Sequence, residues 1–156
     1  KSAQNDLSKG PFLGGLMDIL NGGESVTKSG KLCSLPLGGE LTAKTARKGF
    51  YYTLLGNLLL NIHPDYLMFH CAFPESAGKT RIESNWLYNP DSGQTPEDLV
   101  RQKEPVDIWK KTNDEDWELC ELQQKGIASK AYRRGPYSDR ESLLIAFDKE
   151  YLKLMK

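Results

Sequence analysis

Between Phe50 and Tyr88 short apolar runs alternate with turn residues, and from Thr95 onward the apolar spacing lengthens from two residues to between three and four. Phe50 to Leu55 and Asn57 to Ile62, bounded by Gly49 and by His63-Pro64-Asp65, predict two β-strands followed by a tight turn. Tyr66 to Phe73 predicts a third strand and Glu75 to Lys79 a second turn. Thr80 to Tyr88 sets Arg81, Glu83 and Asn85 against Ile82, Ser84 and Trp86. That alternation predicts a fourth strand, in a sheet with one face covered and the other wet or lining a cavity. Residues 1 to 48 hold the pairs Gly14-Gly15, Gly22-Gly23 and Gly38-Gly39 and show little periodicity. They predict a mostly irregular lead-in, with a short hairpin of Glu24 to Lys28 and Lys31 to Cys33 around Ser29-Gly30. So long a lead fits a segment draped over a larger structure.

After the loop Asn89 to Gln94, Thr95-Pro96-Glu97 has a capping residue and a first-turn proline, which start a helix. Pro105 is expected to interrupt it. A long helix then reaches Ile127, and Tyr132 to Pro136 makes an irregular turn. Ser138 and Glu141 have capping-box spacing, and Glu141 to Met155 forms a last amphipathic helix carrying Leu143, Leu144, Phe147, Tyr151 and Leu154. Strands first and helices afterwards predict an α+β fold with an antiparallel sheet. The chain reads as one domain, residues 1–156, with a lead-in (1–48), a β-meander (49–88) and a helical part (95–156).

At about 100° per residue, Trp109, Thr112, Asp116, Leu119, Cys120, Gln123 and Ile127 share one arc of the long helix. Asp107, Asp114, Glu118 and Glu121 point away. Asp116 is therefore the one carboxylate centred on the face expected to meet the core, in a pocket and away from bulk water. A buried carboxylate needs a partner or shifts its pKa. A metal ion, backbone donors, or an ion pair with a base such as Arg81 or Lys79 would each satisfy it, and a helix misphased by one residue would remove the need.

Composition narrows the classes. The 156 residues carry 21 basic and 21 acidic side chains, so no broad attraction to nucleic acid or to an anionic membrane is expected. No apolar run approaches the ~18 residues of a membrane span. Cys33, Cys71 and Cys120 are widely spaced, which predicts reduced thiols in a cytoplasmic protein and no zinc or iron–sulfur site among them. The first residue is Lys1, which fits a processed chain, a trimmed one or part of a longer reading frame.

Other chemistry is sparse. His63 ends one predicted strand and His70 lies within the next, so nothing in the pattern brings both rings to one point with Asp116. His63 is expected in a turn, and His70 facing a cavity or solvent. Lys130, Arg133, Arg134 and Arg140, interleaved by Tyr132 and Tyr137, read as a solvated basic cluster beside acids that cancel its field. The Gly-Gly pairs lack the setting of a dinucleotide-binding turn, and no GxSxG or P-loop pattern occurs.

Four segments in this order resemble the C-terminal part of the catalytic domain of Rieske-type ring-hydroxylating oxygenase α subunits, closest to the branch that demethylates quaternary amines. They are Gly10-Pro-Phe-Leu-Gly-Gly, Asn57-Leu-Leu-Leu-Asn-Ile-His-Pro-Asp-Tyr66, Trp109 to Gly126, and Tyr132-Arg-Arg-Gly-Pro-Tyr-Ser138. The resemblance runs from about residue 10 to the C-terminus. It implies a helix-grip (START-like) fold: a curved antiparallel sheet wrapped on a long C-terminal helix, here incomplete. It also implies a mononuclear Fe(II) held by two His and one carboxylate. The carboxylate belongs to an acidic pair followed five residues later by Glu. Glu115-Asp116 and Glu121 match that pattern, which gives Asp116 the ligand role. The family's Asp-x-x-His-x4-His segment is missing from this sequence, and so are the Cys-x-His and Cys-x-x-His ligands of the 2Fe-2S Rieske cluster.

The expectation is therefore about the last third of an α subunit, with one iron ligand of three and no turnover alone. In the complete protein the resemblance implies Fe(II), a Rieske cluster in an N-terminal domain, O2, a small organic substrate, a reductase or ferredoxin, and a homo-oligomer. His70 and Met68 are expected to line the substrate pocket. A self-contained helix-grip module, binding a small ligand without catalysis, is the alternative; a pocket walled on all sides by this chain would favour it.

Overall fold

The structure is a computed structural model that describes residues 5–6, 12–38 and 46–156. Gly10 and Pro11 of the first matching segment lie outside the described residues. Six antiparallel strands lie in sequence order: β1 (Asn5–Asp6), β2 (Phe12–Asp18), β3 (Lys48–Leu54), β4 (Leu58–Ile62), β5 (Tyr66–Ser76) and β6 (Lys79–Tyr88). Two helices follow, α1 (Pro96–Ile127) and α2 (Ser142–Leu154). The chain is α+β, as the order of periodicities predicts, and β3 to β6 fall on the four expected runs.

The lead-in is more regular than its glycines suggest. Phe12 to Asp18 pairs with β3 along seven residues, from Phe12 opposite Leu54 to Asp18 opposite Lys48. Glycine here permits close approach. A β-carbon on Gly14 would come within 2.8 Å of the Tyr52 Cα, so only a bare backbone fits. The hairpin expected around Ser29-Gly30 is absent. Residues 24–33 form a compact loop instead, closed by Glu24 N–H to Gly30 O (2.7 Å), Gly30 N–H to Thr27 O (3.1 Å) and the Thr27 hydroxyl to Lys31 O (2.7 Å). Thr27 and Ser25 are buried, so the local hydroxyl bonds of this loop compete successfully with strand pairing.

The helical half holds one surprise. Thr95 caps α1 with a full capping box: its Oγ1 accepts from Asp98 N–H (3.1 Å), and Asp98 Oδ2 accepts from Thr95 N–H (3.2 Å). Pro105 does not interrupt α1, which runs through it to Ile127. The buried pyrrolidine faces the protein, and burial there offsets the one backbone bond that a proline removes. At α2 half of the expected box forms. The Glu141 carboxylate accepts from Ser138 N–H (2.5 Å), while no side chain caps the first turn.

Strand register sorts the side chains onto two faces. One carries Tyr51, Asn61, Met68 and Trp86, cross-strand neighbours in succession, with Leu13 opposite Thr53 on the same face. It holds the core, in which Cys33, Tyr66 and Met68 are buried against Trp86, Tyr88 and Trp109. The other carries Leu16, Phe50, Leu60, Ile62, Leu67 and Phe69, none of them buried. The expected wet face is thus apolar across β2 to β5. Polar side chains gather at its β5–β6 end, where Arg81 bridges Glu75 and Glu83. Strands apolar on both sides are the mark of a sheet meant to be covered on both.

Candidate functional site

Helix α1 crosses the core face. Its Gln102 carbonyl accepts from the Tyr88 hydroxyl of β6 (2.6 Å). Farther along, Trp109 Nε1 donates to the Tyr66 hydroxyl of β5 (2.9 Å), and the indole lies 6.4 Å from the Tyr51 ring of β3. The path runs from β6 toward β3. Along it the inward stripe is Pro105, Trp109 and Asn113, of which Pro105 and Asn113 are buried. At about 100° per residue, Asp116 and Cys120 continue this stripe. The phase read from the sequence therefore holds, but the cover does not.

Asp116 lies roughly 10 Å beyond Trp109 along the helix axis, and it is exposed, as are Thr112, Leu119, Cys120 and Gln123. The expectation that its carboxylate points into a pocket is corrected, because past Asn113 no described element of the sheet lies beneath α1. Among the described residues it forms no hydrogen bond or ion pair. Its suggested alternative partners are occupied elsewhere: Lys79 pairs with Glu75 (2.8 Å), and Arg81 with Glu75 and Glu83.

The two histidines serve different surroundings. His63 is 2% exposed in the β4–β5 turn, stacked on Tyr66 (centroids 4.4 Å apart) and edge-on to Tyr51 (5.7 Å). Neither ring nitrogen has a hydrogen-bond partner among the described residues, and burial pushes its pKa down to about 4. The turn was expected; its complete burial was not. His70 is half-buried on β5, with Nδ1 2.8 Å from the Ser84 hydroxyl and a pKa lowered by burial. Met68 is fully buried in the core, where it packs against Trp86, Tyr88 and Trp109. Among the described residues no three His, Cys, Asp or Glu side chains converge as a metal set.

The pocket on this face lies elsewhere. A cleft of about 270 Å³ opens between β2–β4 and α2, lined by Leu13, Tyr51, Leu59, Asn61, Leu143 and Phe147 among others. Leu59 and Asn61 are the cross-strand partners of His70 and Met68, which are not among the residues that line this cleft. Tyr51 joins cleft and helix, lining the one and touching Trp109 of the other.

Sequence reasoning missed a buried carboxylate. Asp65 is 0% exposed and accepts from the Ser25 hydroxyl (2.5 Å) and from Cys33 N–H (2.6 Å). The Tyr66 hydroxyl donates to Val26 O (2.9 Å), so the β4–β5 turn and the 24–33 loop are stapled together twice. Burial and the neighbouring Asp65 push the Cys33 thiol pKa upward, which leaves it an inert packing group. The basic cluster stays exposed: Arg133 donates to two nearby backbone carbonyls, and Tyr137 donates to Asp148 (2.7 Å).

Residues 3–156 match the family model described as ring hydroxylating alpha subunit (catalytic domain). The chain belongs to that family. It is also 35% identical, over 124 residues, to the glycine betaine monooxygenase oxygenase subunit of two Pseudomonas aeruginosa strains. The alignment covers 78% of this chain and 28% of each relative, so the chain spans less than a third of their length. This is a family of oxidoreductases associated with non-heme iron and a Rieske cluster. Among the described residues no His, Cys, Asp and Glu side chains converge into a complete ligand set for such an ion. No helix among the described residues is long and apolar enough to cross a membrane.

Proposed function

We propose that this chain is the C-terminal part of the catalytic domain of a Rieske-type non-heme iron oxygenase, in which Asp116 is the carboxylate ligand of the iron. The proposed reaction is the O2-dependent hydroxylation or demethylation of a small organic substrate, with quaternary amines the favoured class. The place of Asp116 carries the reading: it continues the inward stripe of Pro105, Trp109 and Asn113 on α1, as the second residue of the acidic pair Glu115-Asp116 that Glu121 follows. Family membership and the likeness to a betaine monooxygenase support it. Iron in such a site supplies O2 activation with electrons passed from a reductase or ferredoxin through the Rieske cluster. This chain's part is to fix one carboxylate on a helix that the sheet anchors through Tyr88 and Tyr66. The two imidazoles come from outside these 156 residues, and the chain alone turns over no substrate.

The test is the complete subunit encoded by the extended reading frame, which should contain an Asp-x-x-His-x4-His segment upstream. Asp116→Ala in that protein should reduce bound iron by tenfold or more, while the isolated chain unfolds in urea at the same midpoint with or without the substitution. Iron content that is unchanged by Asp116→Ala overturns the assignment. The self-contained binding module is not favoured, because the match to the oxygenase catalytic domain spans nearly the whole chain.

The uncovered sheet face has its own consequence. Leu16, Phe50, Leu60, Ile62, Leu67 and Phe69 present a continuous apolar surface, which drives association in water. The isolated chain should run as a dimer or larger in size-exclusion chromatography with light scattering, and Leu60→Asp should shift it toward monomer. A strictly monomeric species over a hundredfold range of concentration contradicts this.

A further inference from the structure

Among the described residues the hydrogen bonds that tie α1 to distant parts of the chain are unevenly placed. The Ser29 N–H and hydroxyl both donate to the Glu104 carboxylate (2.8 Å each), and the Gln102 carbonyl accepts from the Tyr88 hydroxyl (2.6 Å). Both positions lie before Pro105, where proline removes one rung of the helix ladder. Beyond Pro105 one such bond remains, from Trp109 Nε1 to the Tyr66 hydroxyl (2.9 Å). It is the last before Asp116. The two residues also share a face, because seven steps of about 100° bring Asp116 back to within about 20° of Trp109.

The tyrosine end of this bond is itself held. Tyr66 is 0% exposed, and its ring stacks on His63 (4.4 Å). Its hydroxyl donates to Val26 O (2.9 Å). With that proton committed, the oxygen turns lone pairs toward Trp109, as an indole that only donates requires. Magnitude shows why a single bond here matters. Helix side chains reach about 5–6 Å from the axis, so turning α1 by about 10° moves the Asp116 carboxylate about 1 Å. A working constellation tolerates about 0.5 Å. We propose that Tyr66 is a positioning residue: its hydroxyl, oriented by Val26 O, fixes the rotation of α1 through Trp109 and so aims the Asp116 carboxylate. That this aim serves an iron ligand rests on the oxygenase reading above; the fixed rotation does not.

The experiment reads that rotation directly in the 156-residue chain. Cys120, exposed one turn beyond Asp116, takes one nitroxide, and Thr80→Cys, exposed on β6, takes the other. Cys71→Ser removes the half-buried thiol, and Cys33 is buried. Labelled chain is diluted into unlabelled chain, and the distance between labels is measured by pulsed electron paramagnetic resonance. Tyr66→Phe keeps the ring and removes the oxygen, and it should shift or broaden that distance by roughly 2 Å or more. Trp109→Phe breaks the same bond from the other end and leaves Tyr66 on Val26, and it should act alike; it decides alone if Tyr66→Phe does not fold. Ser25→Ala loosens the 24–33 loop without touching the bond, so it should leave the distance as in the wild type. In the complete subunit Tyr66→Phe should weaken iron binding roughly tenfold, as loss of a ligand-orienting group does. A distance unchanged in either folded variant, or changed as much by Ser25→Ala, overturns the proposal whether or not Asp116 binds iron. So does iron binding that Tyr66→Phe leaves unchanged in a subunit where Asp116→Ala abolishes it. A shifted distance together with iron content indifferent to Asp116→Ala sustains the fixed rotation and removes the iron reading alone.

Discussion

Asp65→Ala is expected to destabilise the fold by roughly 3 kcal/mol, measured as the loss in urea unfolding free energy. The carboxylate is fully buried and accepts two hydrogen bonds, from the Ser25 hydroxyl and from Cys33 N–H. Removing it strands both donors in the interior, where an unsatisfied group costs about 1–3 kcal/mol. The loss also unties the 24–33 loop from the β4–β5 turn, leaving only the Tyr66 hydroxyl bond to Val26 O between them. Ser25→Ala removes one donor and keeps the carboxylate paired with Cys33, so it should cost about 1 kcal/mol. Asp65→Asn should fall between, because an amide accepts from one donor but turns its own N–H₂ toward the other. If Asp65→Ala unfolds at the wild-type midpoint, the staple contributes nothing and the loop is held by other contacts.

That carboxylate also shows where sequence reading stopped. Pro64-Asp65 was legible as a turn, since both residue types favour reversals. What the pattern did not carry is that the turn lies under a loop forty residues upstream, because hydrogen bonds of that separation leave no periodicity. The same limit explains β2. Gly14 reads as a breaker, yet its missing side chain is what lets β2 lie against β3. The helical half was more legible, because the Thr95 box and the 3.6-residue stripe are local properties. Asp116 marks the boundary between the two kinds of information. Its phase on α1 follows from spacing and is correct, whereas its burial depends on what lies opposite, which spacing does not encode. The cleft beside α2 was not legible for a related reason: Met68 and His70 share its face, but their cross-strand partners Asn61 and Leu59 line it, and pairing across strands is not written in spacing.

His63 should make the fold acid-sensitive over a defined window. The ring is enclosed by Tyr51 of β3, Tyr66 of β5 and Trp109 of α1, and no acceptor or donor reaches its nitrogens. The nearest charged group along the chain, Asp65, is committed to Ser25 and Cys33. A protonated imidazole would place an unpaired charge among rings, so burial lowers the pKa from 6.5 to about 4 in the folded state. The unfolded chain then binds a proton that the folded chain refuses. Above about pH 6.5 both states are neutral at this site, and it subtracts nothing from stability. As pH falls from about 6.5 to 4, unfolding takes up a proton and stability declines, levelling off below the folded value. The full difference corresponds to about 3 kcal/mol. His63→Phe keeps the aromatic packing and removes the titration. Urea midpoints collected across this range should fall steeply for the wild type and noticeably less for the variant. Parallel pH profiles would place the acid sensitivity elsewhere and would mean that the His63 nitrogens find hydrogen-bond partners in solution.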